Sequence, residues 1–482
     1  MKYTSTRSRI EVTPQAAVIK GIADDGGLFI NEDVSETRIT TEMLLMLDPL
    51  DIAAIVLNAL LPGYDNMRAL VEEAYKNKFD NDNLAPVVEV GKELAMELFH
   101  GPTSAFKDVA LCMLPKLMSA AKKDLGIKND LTILTATSGD TGKAAIEGFT
   151  DVEGIKICVF YPENGVSDVQ KAQMVTSEGK NVHVCAVRGN FDDCQNAVKK
   201  AFADLKNEPS FKLTSANSIN IGRLAPQVVY YFLCYKQLVE RQIIQMNDTI
   251  DFVVPTGNFG DILAGFYAKI MGLPIGRLVC ASNENNVLTD FFKTGVYNKN
   301  RKFVKTTSPS MDILVSSNLE RLIYLAADGD CHLVDDYMKQ LNETGEYKAN
   351  DKIMGRLRAV FAYDFATEDE VSKTIDKYYK EYNYLMDPHT AVGFAVREKY
   401  QTKNRCVVLS TASPFKFPAA VLSAIGAKVK GDEFEQILTL ESLTGVEAPK
   451  NLKNLKDKKV LHTDTVNKEE VGKYVVELFK DK

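Results

Sequence analysis

From Leu131 to Thr411 the chain repeats one pattern, in which a short apolar, β-branched run is followed by a segment with apolar residues at helical spacing. The runs read TILTAT, IKICVFYP, VHVCAV, IDFVVP, RLVCAS and RCVVLST. Strands that are apolar throughout, rather than at every second position, are covered on both faces, and the amphipathic segments between them supply that cover. The pattern predicts an α/β fold with parallel sheets. In such sheets ligands gather beyond the carboxyl ends of the strands, and the notable motifs of this sequence stand at or beside those ends.

Ahead of this region, apolar residues recur at helical spacing from Ile39 to Leu61, with Thr40 or Thr41 able to cap the start and Pro62-Gly63 ending it. A second helix is expected from Asp65 to Lys78. VVEV, Gly91-Lys92 and ELAMELF then read as two short strands around a tight turn that closes a first region of roughly ninety residues. The tail from Gly431 onward is charged and weakly periodic, and it receives no functional assignment.

A chain of 482 residues is too long for one ordinary core and leaves room for a deep cleft. The 45% hydrophobic and 26% charged fractions are those of a globular protein without extended disorder. Its net charge of −7 is spread along the chain without a basic stripe, which argues against nucleic acid as a partner. An anionic small molecule must then be met by a local cluster of donors, because the overall field does not attract it. The eight cysteines form no CxxC pair and no zinc spacing, so they read as reduced, buried thiols, which suits the cytoplasm; no metal site is expected. Residues Met1 to Ile10 lack the apolar run of a secretory signal, and no stretch is long enough to span a membrane.

In FHGPTSAFKDVALCM, Phe99 to Met113, a Gly-Pro-Thr-Ser loop runs into a helix that carries Lys107 in its first turn or two. Set among Phe106, Val109 and Ala110, this amine is expected to be desolvated, which disfavours the ammonium form and leaves a neutral nucleophile able to attack an aldehyde. Taken alone, a lysine at a helix start is a solvated side chain; the other motifs supply the context.

In IDFVVPTGNFGDILAGFYAKI, Ile250 to Ile270, a buried strand meets a helix through Gly-Asn-Phe-Gly. Gly257 and Gly260 allow the backbone N–H groups of Gly257, Asn258, Phe259, Gly260 and Asp261 to converge on a phosphate, which the helix dipole also favours. Asp261 would be repelled by that anion and should instead meet a backbone or hydroxyl donor and cap the helix. LTILTATSGDTGKAAIEGF, Leu131 to Phe149, is dense in hydroxyls, and Thr137, Ser138 and Thr141 suit a substrate carboxylate, although local turn capping also explains them. TSANSINIGRLAPQ, Thr214 to Gln227, gathers Ser215, Asn217, Ser218, Asn220 and Arg223, donors for an oxyanion or else a polar helix cap. RCVVLSTASPFKF, Arg405 to Phe417, ends a buried strand at Ser410-Thr411, where a hydroxyl can meet a ring nitrogen. His389, in DPHTAVG, is assigned no catalytic duty.

Together with YTSTR near the N-terminus and DDGGLFI at Asp24 to Ile30, the segments HGPTSAFKD, TSGDTG, SANSINIGR, PTGNFGD, DPHTAVG and STASP resemble the threonine synthase family in its bacterial and fungal branch, across almost the whole chain. Ser8 stands where the family usually has glycine after STR. The resemblance implies a fold type II pyridoxal-phosphate enzyme with two open, parallel-type α/β domains and an additional N-terminal α+β region. The expected division is residues 1–95 for that region, 96–130 with 225–482 for the larger cofactor-binding domain, and 131–224 for a smaller, substrate-clamping domain. It implies further that Lys107 is the Schiff-base lysine, that Gly257, Asn258, Phe259, Gly260 and Asp261 hold pyridoxal 5'-phosphate, and that Thr411 meets the pyridine nitrogen. The 137–141 loop would hold the substrate's α-carboxylate, and Ser215, Asn217, Asn220 and Arg223 its phosphate. The implied reaction is conversion of O-phospho-L-homoserine and water to L-threonine and phosphate, by a monomer or homodimer. A phospho-lyase releasing 2-oxobutyrate from the same substrate and a threonine dehydratase are the alternatives.

Overall fold

The strand Ile250–Pro255 is buried at all six positions, which requires cover on both faces, and it lies inside a six-stranded sheet. The computed structural model describes residues 2–137, 139–206 and 208–479. Across the larger sheet the strands run Phe361–Phe365, Ile275–Ser282, Ile250–Pro255, Arg405–Ser410, Glu93–Glu97, Val87–Val90. All neighbours are parallel except the last pair, which is antiparallel. The smaller sheet has five parallel strands in the order Asp464–Asn467, Val182–Arg188, Ile155–Pro162, Leu131–Ala136, Lys212–Thr214. Each long apolar run of the sequence is one of these strands, as its lack of alternation requires. The helix Ile221–Glu240 is buried from Ile221 through Leu238, apolar nearly all round as an interior helix must be.

Three expectations are corrected. The apolar periodicity from Ile39 to Leu61 spans two helices, Thr41–Leu45 and Pro49–Leu60, because Pro49 cannot continue a helix and Asp48 caps the new one, accepting from the Asp51 N–H at 2.8 Å. The Val87–Val90 and Glu93–Glu97 hairpin exists, but it does not close an N-terminal unit. Glu93–Glu97 pairs with Arg405–Ser410, in the register Val407 to Leu94 and Ser410 to Glu97, so the hairpin is the edge of the larger sheet. The C-terminal tail returns to the smaller sheet, where Asp464–Asn467 pairs with Val182–Arg188 and the helix Val471–Phe479 packs over it, so residues 225–482 do not all lie with the larger sheet.

The N-terminus holds a three-stranded antiparallel sheet of Glu11–Val12, Tyr3–Ser5 and Phe29–Asn31. Arg321 fastens it to the interior. With no solvent exposure, its guanidinium donates to the Phe29 carbonyl at 2.9 Å, to the Ile219 carbonyl at 2.6 Å and to the Asn318 side chain. One buried cation thus ties the first strands to the loop that leads into Arg223. No helix among the described residues is long and apolar enough to cross a membrane.

Candidate active site

Lys107 is the first residue of the helix Lys107–Asp124, and it is set in place by the strand Arg405–Ser410 of the larger sheet. The segment before it pairs with the residues beyond that strand: Phe106 N–H donates to the Thr411 carbonyl at 2.9 Å, and Ser413 N–H to the Ser104 carbonyl at 3.1 Å. Ser104 takes a left-handed φ of 60°, and the Asp108 carboxylate closes the loop by accepting from the Thr103 N–H at 2.8 Å and from its hydroxyl. Burial pushes the Asp108 carboxyl up to about 6.

The Lys107 amine is buried, 9% exposed, and lies 3.5 Å from Ser310 Oγ, 3.8 Å from Asp140 Oδ2 and 4.8 Å from the centre of the Phe106 ring. Its proton affinity is lowered, first by burial and then by the charges of Lys416 and Arg223, against the pull of Asp140 and Asp108. This is the desolvated amine expected from its apolar neighbours, with one addition, the pairing with Asp140. Asp140 begins the helix Asp140–Phe149 of the smaller sheet, so Lys107 sits where the two sheets' carboxyl ends meet.

The turn from Gly257 to Asp261 joins the strand Ile250–Pro255 to the helix Gly260–Ile270. A Cβ on Gly257 would come within 2.8 Å of the Ser310 carbonyl, so glycine is needed for close approach there. Phe259, with a left-handed φ of 64°, caps the helix by backbone alone; no side chain among the described residues caps the first-turn N–H groups, an arrangement that suits a phosphate. Asn318 receives the rest of the turn, donating to the Asn258 carbonyl from its backbone and its amide, each at 3.0 Å. Asp261 meets hydroxyl donors as expected, Tyr230 and, at 3.2 Å, Tyr231, but it does not cap the helix. Burial, the largest influence, pushes its carboxyl up to about 7, and its Oδ2 has no hydrogen-bond partner among the described residues.

Arg223, in the first turn of Ile221–Glu240, is 3% exposed and has no carboxylate partner among the described residues. Its guanidinium donates to the Ala216 carbonyl at 2.6 Å, while its buried Nε has no hydrogen-bond partner among the described residues. Burial brings the guanidinium down to about 10. Ser215 and Asn217 lie beside it; Ser215 Oγ accepts from the Asn217 N–H at 3.2 Å, and Asn217 Oδ1 from Thr135 at 3.3 Å, leaving the Asn217 amide donor unspent. Asn220 differs. It is the helix cap, accepting from Gly222 N–H and donating to the Val18 and Ser215 carbonyls, each at 2.9 Å, so its polar atoms are consumed within the fold.

In the 137–141 loop, Thr137 Oγ1 accepts from the N–H groups of Gly139 and Gly142, both at 2.9 Å, which is the local turn capping weighed above. Thr141 is half-buried, and Ser138 lies outside the described residues. Thr411 is 5% exposed and its hydroxyl makes no hydrogen bond among the described residues, while its N–H donates to the Thr390 hydroxyl at 3.2 Å.

Four contributors were not singled out from sequence. Asp140 and Lys416 stand inside quoted motifs and form a buried ion pair at 2.9 Å. Gln170 donates to Asp140 at 3.1 Å. Ser310 comes from a loop outside every quoted motif; its N–H donates to His389 Nε2 at 3.2 Å, and His389 Nδ1 meets Asp387 at 2.6 Å, which fixes the imidazole as a loop-holding acceptor.

The sequence profile of the family described as pyridoxal-phosphate dependent enzymes matches residues 87–338, and that of the threonine synthase C-terminal region matches residues 390–474. Threonine synthase of Saccharomyces cerevisiae is 36% identical over 460 residues, covering 88% of this chain and 89% of that protein. Human threonine synthase-like 1 is 39% identical over 442 residues, covering 86% of this chain; the chain spans only 58% of that relative's length. Among solved structures, PLP-bound threonine synthase from Brucella melitensis superposes with a TM-score of 0.89 at 37% identity, covering 100% of both chains. With the desolvated lysine beside the glycine turn and this breadth of similarity together, the chain belongs to the threonine synthase family of fold type II pyridoxal-phosphate-dependent enzymes.

Proposed function

We propose that this protein is a threonine synthase, a carbon–oxygen lyase that converts O-phospho-L-homoserine and water to L-threonine and phosphate. The observation that carries the substrate choice is Arg223, a buried guanidinium without a carboxylate partner and near enough to lower the proton affinity of the Lys107 amine. A dehydratase acting on an unphosphorylated amino acid would have no use for such an unpaired cation.

When bound, pyridoxal phosphate supplies an electron sink for the substrate's α carbon. In this reading Lys107 holds the cofactor, and the backbone N–H groups from Gly257 to Asp261 take its phosphate. The Thr411 hydroxyl would serve as a neutral partner for the ring nitrogen, one that does not enforce ring protonation. Lys107 would be the base that takes the proton from the α carbon and then from the β carbon, a duty suited to an amine already desolvated. Thr137, Ser138 and Thr141 orient the α-carboxylate, and Ser215, Asn217 and Arg223 hold the phosphate as it leaves the γ carbon. Water adds at the β carbon. The buried, free cysteines support a reducing compartment such as the cytoplasm.

Incubation of the purified protein with pyridoxal phosphate and O-phospho-L-homoserine, followed by identification of the products, tests this directly. L-threonine and phosphate in equal amounts are expected. Phosphate with 2-oxobutyrate and no threonine would make the protein a phospho-lyase, and no turnover of this substrate would overturn the phosphate assignment itself.

A further inference from the structure

Lys416 follows the strand Arg405–Ser410 in a short turn, Pro414–Lys416, and its side chain is wholly closed to solvent. It makes two contacts: to Asp140 Oδ1 at 2.9 Å and to the Thr103 carbonyl at 2.9 Å, in the loop that leads to Lys107. Asp140 Oδ1 also accepts from Gln170 at 3.1 Å, while its Oδ2 faces Lys107 at 3.8 Å. Two buried lysines therefore share a single carboxylate, and they do so unequally.

We propose that Lys416 is a positioning residue of the active site: by saturating Asp140 from the side opposite Lys107, it leaves the Lys107 amine without a counterion of its own and so keeps it neutral and nucleophilic. An ammonium in a water-free site needs both a counterion and hydrogen-bond acceptors. Lys416 has the shorter contact to the carboxylate and a carbonyl besides, so the proton is better held there. Lys107 has the longer contact, a hydroxyl at 3.5 Å and the face of an aromatic ring. The other charges around Lys107 do not reverse this preference. Arg223 on the helix Ile221–Glu240 adds repulsion, and Asp108 on its own helix adds attraction. Asp261 on Gly260–Ile270, its carboxyl pushed up to about 7 by burial, offers Lys107 less negative charge than an ordinary carboxylate, and His389 is spent on Asp387 and the Ser310 N–H. Burial and the repulsion from Lys416 act in the same direction on Lys107, and against the upward push of burial Asp140 is held below the usual carboxylate range chiefly by the charge and hydrogen bond of Lys416.

The arrangement also crosses the molecule. Asp140 starts a helix on the smaller sheet, and Lys416 follows a strand of the larger one, so the pair pins the two carboxyl edges together at the point where Lys107 emerges. A purely structural pin would be indifferent to the protonation of Lys107, and that difference is measurable.

The test is the pH dependence with which acetic anhydride modifies Lys107 in the full-length protein without cofactor, followed by mass spectrometry of the Lys107 peptide. In Lys416→Met, Asp140 has only Lys107 to neutralise it, so the midpoint should rise by about one pH unit or more. Lys416→Arg keeps the charge and should stay near the wild-type midpoint. Asp140→Asn leaves Lys416 charged and removes the carboxylate, so its midpoint should fall; this variant keeps the idea testable if Lys416→Met does not fold. A folded Lys416→Met with the wild-type midpoint would overturn the proposal, as would Lys416→Arg shifting as far as Lys416→Met, or Asp140→Asn leaving the midpoint unmoved. The inference rests on Lys107 being the cofactor-bearing lysine, and the two fail differently. Borohydride labelling of another lysine sinks that assignment without touching the midpoints, whereas unmoved midpoints sink the competition and leave the label on Lys107.

Discussion

The backbone N–H of Phe106 donates to the carbonyl of Thr411 at 2.9 Å, so the residue before Lys107 is bonded directly to the residue proposed to face the cofactor's ring nitrogen. The relative position of amine and hydroxyl is thereby set by main chain, not by side-chain packing. A change at the Thr411 side chain should leave Lys107 where it is.

Thr411→Val keeps that carbonyl and the shape of the side chain while removing the hydroxyl. The variant should bind pyridoxal phosphate with its visible absorbance band preserved and lose roughly tenfold in kcat, the scale of one neutral hydrogen bond. Steady-state kinetics together with the absorption spectrum check this. Loss of the band altogether would mean that the hydroxyl holds Lys107, not the ring.

Arg223→Ala removes the buried cation and should lower kcat/KM for O-phospho-L-homoserine on the order of tenfold to a hundredfold, the range for hydrogen bonds to a charged group. Cofactor affinity should change far less. A titration of each variant with pyridoxal phosphate beside the kinetic measurement separates the two effects, and equal losses would assign Arg223 to the scaffold.

Gly257→Ala would bring a methyl group within 2.8 Å of the Ser310 carbonyl, a backbone atom that cannot rotate aside. Overpacking of this kind costs about 1–3 kcal/mol. Relief requires the Ser310 segment to move off the cup, so pyridoxal phosphate should bind tenfold or more weakly, as read by fluorescence titration. Wild-type affinity would show that the turn does not border the cofactor.

Asp261 gives a pH signature. Its carboxyl is pushed up to about 7 by burial, against the tyrosine hydroxyls and Lys107, whereas in the unfolded chain it ionises near about 3.9. The folded protein keeps a proton that the unfolded chain has shed, so this contribution to stability is full below about pH 4 and is lost as pH rises through about 7. Asp261→Asn does not titrate. Melting temperatures of the cofactor-free proteins should therefore diverge across that window, the variant gaining relative to the wild type by several degrees. Asp108 titrates in both proteins and cancels. A constant difference between the two curves would show that Asp261 is ionised throughout.

What could be read from sequence follows from range. The long central strands of both sheets were legible because each is buried on both faces and writes that into its own residues, as Ile250–Pro255 does at every position, whereas the half-exposed strands Phe361–Phe365 and Lys212–Thr214 carry no such run. Lys107 and the Gly257 turn were legible because an amine in an apolar setting and a glycine turn between strand and helix are local patterns. The three-residue strand Tyr3–Ser5 escaped notice because its partners, not its composition, make it a strand. The return of Asp464–Asn467 to the smaller sheet is a pairing with residues 279 or more positions away, such as Thr465 with Ala186. Asp140 and Lys416 were both in view, yet only their meeting across the two sheets gives either a role. Asn220 failed in the opposite way, since a donor suited to an oxyanion proved suited to its own helix cap.

The account depends most on where the cofactor is attached. Reduction of the pyridoxal-phosphate-loaded protein with borohydride, followed by peptide mass spectrometry, should find the phosphopyridoxyl group on the peptide containing Lys107, with Lys107→Ala taking up no label and showing no turnover. A label carried by Lys416 or any other lysine, with Lys107 unmodified, would contradict it.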